Sequence, residues 1–251
     1  MSRFQIFTDA EIASMRKGGA ILRGCLDLVS AIVRPGIRTV DLDRAAEAYI
    51  RDHGAIPGFK GYHGFPATLC TSVNDVCVHG IPGDQTLADG DILSIDCGVI
   101  LDGLYTDACV TLIAGTPSPL TLRLKEAAEK ALEAALAVVR AGAHVGDISS
   151  AVEKTAEGYG FHPVRALTGH GVGKNLHQFP DIPNWGKPRT GPVLPEKTML
   201  AIEPILSAGS DQIVEGEDGW AICVKDHAQT SHAEHTVLVR DGGCEVLTVR
   251  E

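Results

Sequence analysis

The sequence has no apolar run near the ~20 residues that a transmembrane helix needs, and its polar start, MSRFQIFTDAE, lacks the hydrophobic region of a signal peptide. Lysines and arginines are scattered along a chain whose formal net charge is −10, so no surface that follows a nucleic-acid backbone is expected. The seven cysteines are odd in number and form no CxxC pair, which favours reduced thiols. These absences predict a cytoplasmic protein without membrane contact or a direct nucleic-acid site.

Five side chains of the kind that bind metals stand in separate, mostly apolar segments. They are Asp96 in ILSIDCGV, Asp107 in GLYTDACV, His170 in TGHGVGK, Glu203 in LAIEPIL and Glu234 in HAEHTVLV. Four carboxylates gathered without cations would repel one another and take up protons, and a single zinc ion would be saturated by four ligands. The set therefore predicts two divalent metal ions per chain, of Co, Mn, Fe or Zn type, and a dinuclear metallohydrolase.

A β-hairpin is predicted around Asp102-Gly103, because Asp-Gly favours a two-residue type I′ turn and the runs on both sides are apolar and β-branched. With this turn, position 96 faces position 109, and Asp107 becomes the diagonal neighbour of Asp96 on the same face. The alternative is that both are ordinary polar residues of a half-exposed hairpin. Their shared face and apolar neighbours favour ligands.

The chain also resembles itself at an offset of 106 residues, where 33–57 overlays 139–163 without a gap. Each copy predicts a helix, a glycine turn, a second helix and a glycine stop, preceded in the first copy by a capping box from Thr8 to Glu11. Two amphipathic helices that resemble each other by chance are the alternative. Duplication predicts an α+β fold in which two halves, about 8–115 and 120–250 with a linker at 117–119, pool their strands into one curved antiparallel sheet with the helices outside.

The motifs SVNDVCVHGIP, IDCGVILDGLYTD, TGHGVGKNLHQFP, LAIEPIL and AEHTV together resemble the type I methionine aminopeptidases of bacterial type, members of the pita-bread superfamily. The resemblance runs from about residue 8 to 250 and implies a single catalytic domain over 1–251. It implies that Asp96 and Asp107 bind one metal, that His170 and Glu203 bind the other, and that Asp107 and Glu234 bridge the two. The implied reaction is removal of N-terminal methionine from nascent proteins and peptides, preferentially before a small residue.

The resemblance also implies roles for residues around the metals. His79 and His177 match the two substrate-facing histidines, His177 as the group that polarises the scissile carbonyl, and Glu203 is expected to shuttle the proton of the attacking water. His235 should point away from the metals, since it follows Glu234 in a strand. The remaining histidines are expected to be solvated or satisfied in the core: His53, His63, His144, His162, His227 and His232.

An apolar, sulfur-containing pocket for the methionine side chain is expected from five residues, namely Phe59, Tyr62, Phe65, Cys70 and Trp220. Simple core packing is the alternative for the aromatic members. The sequence departs from the family at three positions: Phe65 stands where many relatives have Tyr, Leu176 where some have Phe and Gly98 where some have Thr. The first two changes bear on the shape of the pocket, and the third removes a side chain near the metals.

Two other functions are compatible with this fold. An X-Pro dipeptidase, aminopeptidase P or creatinase-like hydrolase shares the five ligands, although the X-Pro enzymes usually carry an extra N-terminal domain for which 251 residues leave no room. A binding module without catalysis would have lost a ligand or His79, and all are present. The expected partners are N-terminal segments of peptides or nascent proteins and, from the family's co-translational role, the ribosome. A monomer is expected.

Five prolines fall within 178–197, in QFPDIPNWGKPRTGPVLPEK. Proline does not fit a helix interior or a central strand. The segment is therefore predicted to be a surface loop near the mouth of the cleft.

Overall fold

A computed structural model describes residues 3–249. Four long helices are formed, α1 (Asp9–Ile32), α2 (Thr39–Asp52), α3 (Pro119–Val138) and α4 (Val145–Gly158), with a short 3₁₀ helix at Tyr62–Gly64. The strands are β1 (Ile56–Pro57), β2 (Leu69–Val73), β3 (Val76–Val78), β4 (Ile92–Leu101), β5 (Leu104–Ile113), β6 (His162–Pro163), β7 (Thr168–Gly171), β8 (Gln178–Pro183), β9 (Met199–Ile202), β10 (Ile205–Ser207), β11 (Ile213–Glu215), β12 (Ile222–Val224), β13 (Thr230–His232), β14 (His235–Val239) and β15 (Cys244–Val246).

The first turns of the helices follow local sequence signals. Thr8 caps α1, since its hydroxyl accepts from the Glu11 N–H while the Glu11 carboxylate accepts from the Thr8 N–H, which confirms the predicted capping box. Ser118 caps α3, and Pro119 occupies its first turn. The segment 117–119, expected to be a linker, lies between β5 and α3 and contributes the first residue of that helix.

The helix pairs reproduce the offset seen in the sequence. Helices α2 and α4 start at Thr39 and Val145 and end at Asp52 and Gly158, so both ends differ by 106 positions. The short strands β1 and β6 keep the same spacing. The repeated sequence therefore folds into repeated local structure.

All strand pairs are antiparallel, as expected, and backbone hydrogen bonds group them into four sheets. One sheet contains β1, β2, β4 and β5, and another has the order β15-β14-β9-β7-β8. Two three-stranded sheets have the orders β13-β10-β6 and β11-β12-β3. The antiparallel α+β fold is confirmed. One sheet ends and the next begins where the backbone stops pairing with one strand and starts pairing with another.

The two halves meet at a backbone contact between β5 and the β13–β14 segment. Cys109 and Glu234 exchange both backbone hydrogen bonds, at 3.4 and 3.1 Å. Thr236 adds a hydroxyl that accepts from the Asp107 N–H and donates to the Asp107 carbonyl, at 2.8 and 2.7 Å. Ligand-type residues of both halves are thereby brought to one place.

Each helix pair covers its own apolar core. The core beneath α1 and α2 includes Leu22, Leu42 and Ile95, and the core beneath α3 and α4 includes Leu124 and Ile148, all fully buried. All seven cysteines are free thiols, as predicted. Among residues 3–249, no helix is both long and apolar enough to cross a bilayer.

Candidate metal centre and substrate cleft

The hairpin β4–β5 positions the first two carboxylates. Asp96 pairs with Cys109 and Gly98 pairs with Asp107, so the two aspartates are diagonal neighbours, as the Asp-Gly turn predicts. Both turn residues have the positive φ of a type I′ turn, 52° at Asp102 and 76° at Gly103. A local turn signal thus sets the register that places both side chains on one face.

Glu203 and Glu234 are brought face to face by a second register. Ile202 pairs with His235 in one sheet, and Ile205 pairs with His232 in the next. The two pairs belong to one continuous antiparallel register between the segments 202–205 and 232–235. That alignment places Glu203 opposite Glu234 at the junction between the sheets. His170, on β7, pairs with Ala201 and adds an imidazole from the other side of β9.

These side chains form a buried cluster. Ligand atoms of Asp107, His170 and Glu234 all lie within 4.8 Å of one another. The Nε2 atom of His170 is 3.9 Å from Oδ2 of Asp107 and 3.5 Å from Oε1 of Glu203. Asp96, the diagonal neighbour of Asp107, lines the same cavity. All five residues expected as ligands are therefore adjacent.

Burial and mutual repulsion shift the proton affinities in this cluster. Burial raises the pKa of Asp96 to about 7. Burial, with repulsion from neighbouring carboxylates, raises the pKa values of Asp107, Glu203 and Glu234 well above their usual range. Burial lowers the pKa of His170 to about 3, so its imidazole is neutral and available as a ligand.

The donor set fits divalent metal ions. Buried oxygen atoms without a hydrogen-bond partner occur on Asp96, Asp107 and Glu234 within the cluster. An unpartnered buried carboxylate oxygen is costly unless a cation or proton satisfies it. Carboxylate oxygens with one imidazole are the ligands that Mn, Fe, Co or Zn accept.

Two histidines face the cluster from the cleft. His177 stacks edge-on against His170, with ring centroids 4.3 Å apart, and its Nδ1 lies 3.2 Å from the Tyr62 hydroxyl. His79 adopts a left-handed backbone conformation, with φ of 62°, which is uncommon for a residue with a side chain and recurs at functional sites. Burial lowers the pKa values of both His79 and His177, which favours neutral rings.

A cavity of about 400 Å³ joins the cluster to an apolar pocket. All twelve residues expected at the site line it, together with Leu176, His63 and Val78. Phe65 and Trp220 meet edge-to-face with centroids 5.1 Å apart, and Phe59 and Cys70 are buried beside them. A smaller cavity of about 340 Å³ continues past His170 and His177 toward Thr168, Gln178 and Asp181.

Sequence reasoning missed one histidine, His232. His63, expected to be solvated or satisfied in the core, is exposed at the rim of the cleft. His232, expected to be solvated or satisfied in the core, is buried with an unpartnered Nε2 that lies 3.6 Å from Oε2 of both Glu203 and Glu234. The signal that could have found His232 is its position two residues before Glu234, on the same face of an extended segment. His235 points elsewhere, as predicted, and its Nδ1 is 2.8 Å from the Thr248 hydroxyl.

The proline-containing segment is only partly a loop. Residues Gln178–Pro183 form β8, which is an edge strand and so tolerates proline. Asn184 is buried, and its Nδ2 donates to the Glu203 carbonyl at 3.0 Å. The following residues bind α4, with the Arg189 N–H donating to Asp147. The expectation of a surface loop at the cleft mouth is therefore wrong for 178–184, which supports the cluster directly.

Comparison with known proteins agrees with this geometry. The model of metallopeptidase family M24 matches residues 13–241. A methionine aminopeptidase of Clostridium perfringens is 43% identical over 239 residues, which cover 95% of this chain and 96% of that protein. The crystal structure of a methionine aminopeptidase from Thermotoga maritima matches with a TM-score of 0.97 and 37% identity, covering 99% of this chain and 100% of that one.

A prolidase from Pyrococcus furiosus has a TM-score of 0.80 at 22% identity and is covered over 66% of its length, so it shares the fold alone. The full-length similarity is to methionine aminopeptidases, which are metal-dependent peptide hydrolases of the pita-bread fold. This chain belongs to metallopeptidase family M24.

Proposed function

We propose that this chain is a methionyl aminopeptidase, which hydrolyses the peptide bond after an N-terminal methionine and prefers a small residue in second position. The observation that carries the proposal is one cavity bounded by buried carboxylates on one side and by an apolar, sulfur-containing pocket on the other. Because ligands come from both halves, 1–251 would act as a single catalytic domain. Seven free thiols fit a cytoplasmic location.

We assign Asp96 and Asp107 to one divalent ion and His170 and Glu203 to a second, with Asp107 and Glu234 bridging. The adjacency of His170 to Glu203, and of Asp96 to Asp107, supports this division. Two ions of Co, Mn, Fe or Zn type would activate a water molecule and bind the free α-amine of the substrate.

Glu203 is assigned as the general base. Its carboxylate is within the cluster, where a water molecule activated by the ions would lie within general-base reach. It would take a proton from the attacking water and pass it to the leaving amine.

His177 is assigned as the donor to the scissile carbonyl. If the Tyr62 hydroxyl donates to Nδ1 across 3.2 Å, the ring proton lies on Nε2, which is then free to stabilise the oxyanion. Burial lowers the pKa of His177, which favours the neutral ring that this role requires. His79, fixed on a strained turn, would contact the substrate backbone.

Methionine specificity is assigned to the apolar side of the cavity. Phe59, Phe65, Cys70 and Trp220, with Tyr62 at the rim, offer aromatic edges and sulfur, which suit a flexible thioether. The second cavity, past His170 and His177, would receive the residues after the scissile bond.

The decisive experiment compares three peptides with protein reconstituted separately with Co²⁺, Mn²⁺, Fe²⁺ and Zn²⁺. We expect release of methionine from Met-Ala-Ser, much slower release from Met-Arg-Ser, and no cleavage of Gly-Pro. Cleavage of Gly-Pro in preference to Met-Ala-Ser would replace the proposal with an X-Pro peptidase. Absence of any cleavage by protein that carries metal would indicate a binding module.

A further inference from the structure

His232 presents a buried nitrogen atom to the back of the candidate metal centre. Its side chain is 2% exposed, and Nε2 has no hydrogen-bond partner. An unpartnered buried nitrogen is costly, which favours an arrangement in which it is satisfied.

The available acceptors are the two glutamates of the cluster. Nε2 is 3.6 Å from Oε2 of Glu203 and 3.6 Å from Oε2 of Glu234, slightly beyond hydrogen-bond distance. The other oxygen of Glu203, Oε1, is 3.5 Å from Nε2 of His170, and Oε1 of Glu234 is buried without a hydrogen-bond partner. Each carboxylate therefore has one oxygen near His232 and a second oxygen available to a metal ion.

The backbone of His232 is fixed by the opposite half of the protein. Its N–H donates to the hydroxyls of Ser94 and Thr111, at 3.3 and 3.1 Å, and its carbonyl accepts from Thr111 at 2.7 Å. The Ser94 and Thr111 hydroxyls are themselves 2.8 Å apart. A ring carried on this anchored backbone is a fixed reference against which the glutamates are oriented.

We propose that His232 is a positioning residue whose Nε2–H donates to the rear oxygens of Glu203 and Glu234, and so turns their other oxygens toward the divalent ions. This inference rests on the proposed metal centre. It assigns His232 no contact with substrate. Hydrogen-bond donors behind metal ligands commonly affect metal affinity by about 10–100-fold.

Two amides separate this role from simple packing. In His232→Gln the amide nitrogen reaches close to the position of Nε2, whereas in His232→Asn it falls short of the glutamates. His232→Leu removes the donor, and His235→Gln is the matched control because His235 points toward Thr248. Far-UV circular dichroism and urea unfolding establish that each variant is folded. His232→Asn is the polar test if His232→Leu does not fold.

Calorimetric titration of each metal-free protein with Co²⁺ is the main measurement, with the visible spectrum of the cobalt form as the second. We expect Co²⁺ affinity to fall about 10–100-fold in His232→Asn and His232→Leu, to stay within about threefold of the parent in His232→Gln, and to be unchanged in His235→Gln. The cobalt spectrum of His232→Gln should match that of the parent.

Parental affinity in His232→Asn or His232→Leu would overturn the proposal. Equal loss in His232→Gln and His232→Asn, with an altered cobalt spectrum, would overturn it in favour of His232 as a direct metal ligand. Failure of the parent protein itself to bind Co²⁺ would instead contradict the proposed metal centre, so the two failures are distinguishable.

Discussion

Gly98 stands where some relatives have Thr, and the Phe59 ring packs against it. Gly98→Ala tests whether this packing requires the absence of a side chain at position 98. A Cβ on Gly98 would lie 2.6 Å from Cε1 and 2.9 Å from Cδ1 of Phe59. Carbon contacts are favourable at about 3.5–4.0 Å, so the ring must withdraw by about 1 Å. The Phe59 backbone is held by neighbouring bonds, Gly58 N–H to the Gly98 carbonyl at 2.7 Å and Tyr62 N–H to the Phe59 carbonyl at 2.9 Å.

Because the backbone is held and the ring is buried, the free space for the ring is the cavity that it lines. We expect Gly98→Ala to lower the free energy of unfolding by about 1–3 kcal/mol, the usual cost of overpacking. The Michaelis constant for Met-Ala-Ser should rise as the ring enters the methionine pocket. Gly98 is not among the residues with positive φ, so backbone strain does not contribute.

A double-mutant cycle identifies the contact. Phe59→Val removes the ring atoms that the new Cβ would meet, so Gly98→Ala should cost less than about 0.5 kcal/mol in that background. The resulting coupling energy is about 0.5–3 kcal/mol, the range expected of residues in contact. Gly83→Ala, where no atom lies within 4 Å of the new Cβ, is the control. Urea unfolding provides the free energies. An equal cost of Gly98→Ala with and without the Phe59 ring would refute the reasoning.

Three further predictions concern catalysis and stability. Glu203→Gln should keep the fold but lose most turnover at saturating metal, since an amide cannot accept the proton of water; full activity would contradict its role as base. His177→Ala should keep its metal content by elemental analysis and lose about 10²–10³ in kcat; a metal-depleted variant would refute this assignment. Arg16 and Arg240 lower the pKa of Glu245 from 4.5 to about 2, so above pH 5 Glu245→Gln should lower the free energy of unfolding by about 1 kcal/mol, a figure discounted for exposure. This difference from the parent protein should vanish as pH falls toward 2; a difference that stays constant with pH would exclude the ion pair as its cause.

Parts of the site that depend on local signals were predictable from the sequence. Asp102-Gly103 fixes the turn of the β4–β5 hairpin, and the turn alone sets the register that makes Asp96 and Asp107 diagonal neighbours. The capping box at Thr8 is another local signal that the structure confirms. The helix repeats were equally visible, because Gly54 and Gly160 follow α2 and α4 in the left-handed conformation that glycine favours.

Features that depend on distant pairing were not predictable in this way. His232 lies near Glu203 because β10 and β13 pair, and no turn motif in the sequence identifies these two strands as partners. Asn184 is in a proline-containing segment that reads as a loop, yet it is buried because its amide meets the Glu203 carbonyl. The need for a glycine at position 98 is explained by the Phe59 ring that packs against it, and this ring comes from a separate segment of the first half.

The way in which the two halves meet links metal binding to folding. Asp107 and Glu234 come from different halves, and the paired backbone bonds between Cys109 and Glu234 set the distance between them. Bringing the charged carboxylates together is unfavourable, because burial and mutual repulsion disfavour their ionised forms and so raise their pKa values. A divalent ion between them would relieve that opposition, so metal binding should stabilise the native contact between the halves. Ser94 and Thr111 anchor the backbone of His232 across the same boundary. Folding and metal binding therefore depend on the same contact between the two halves.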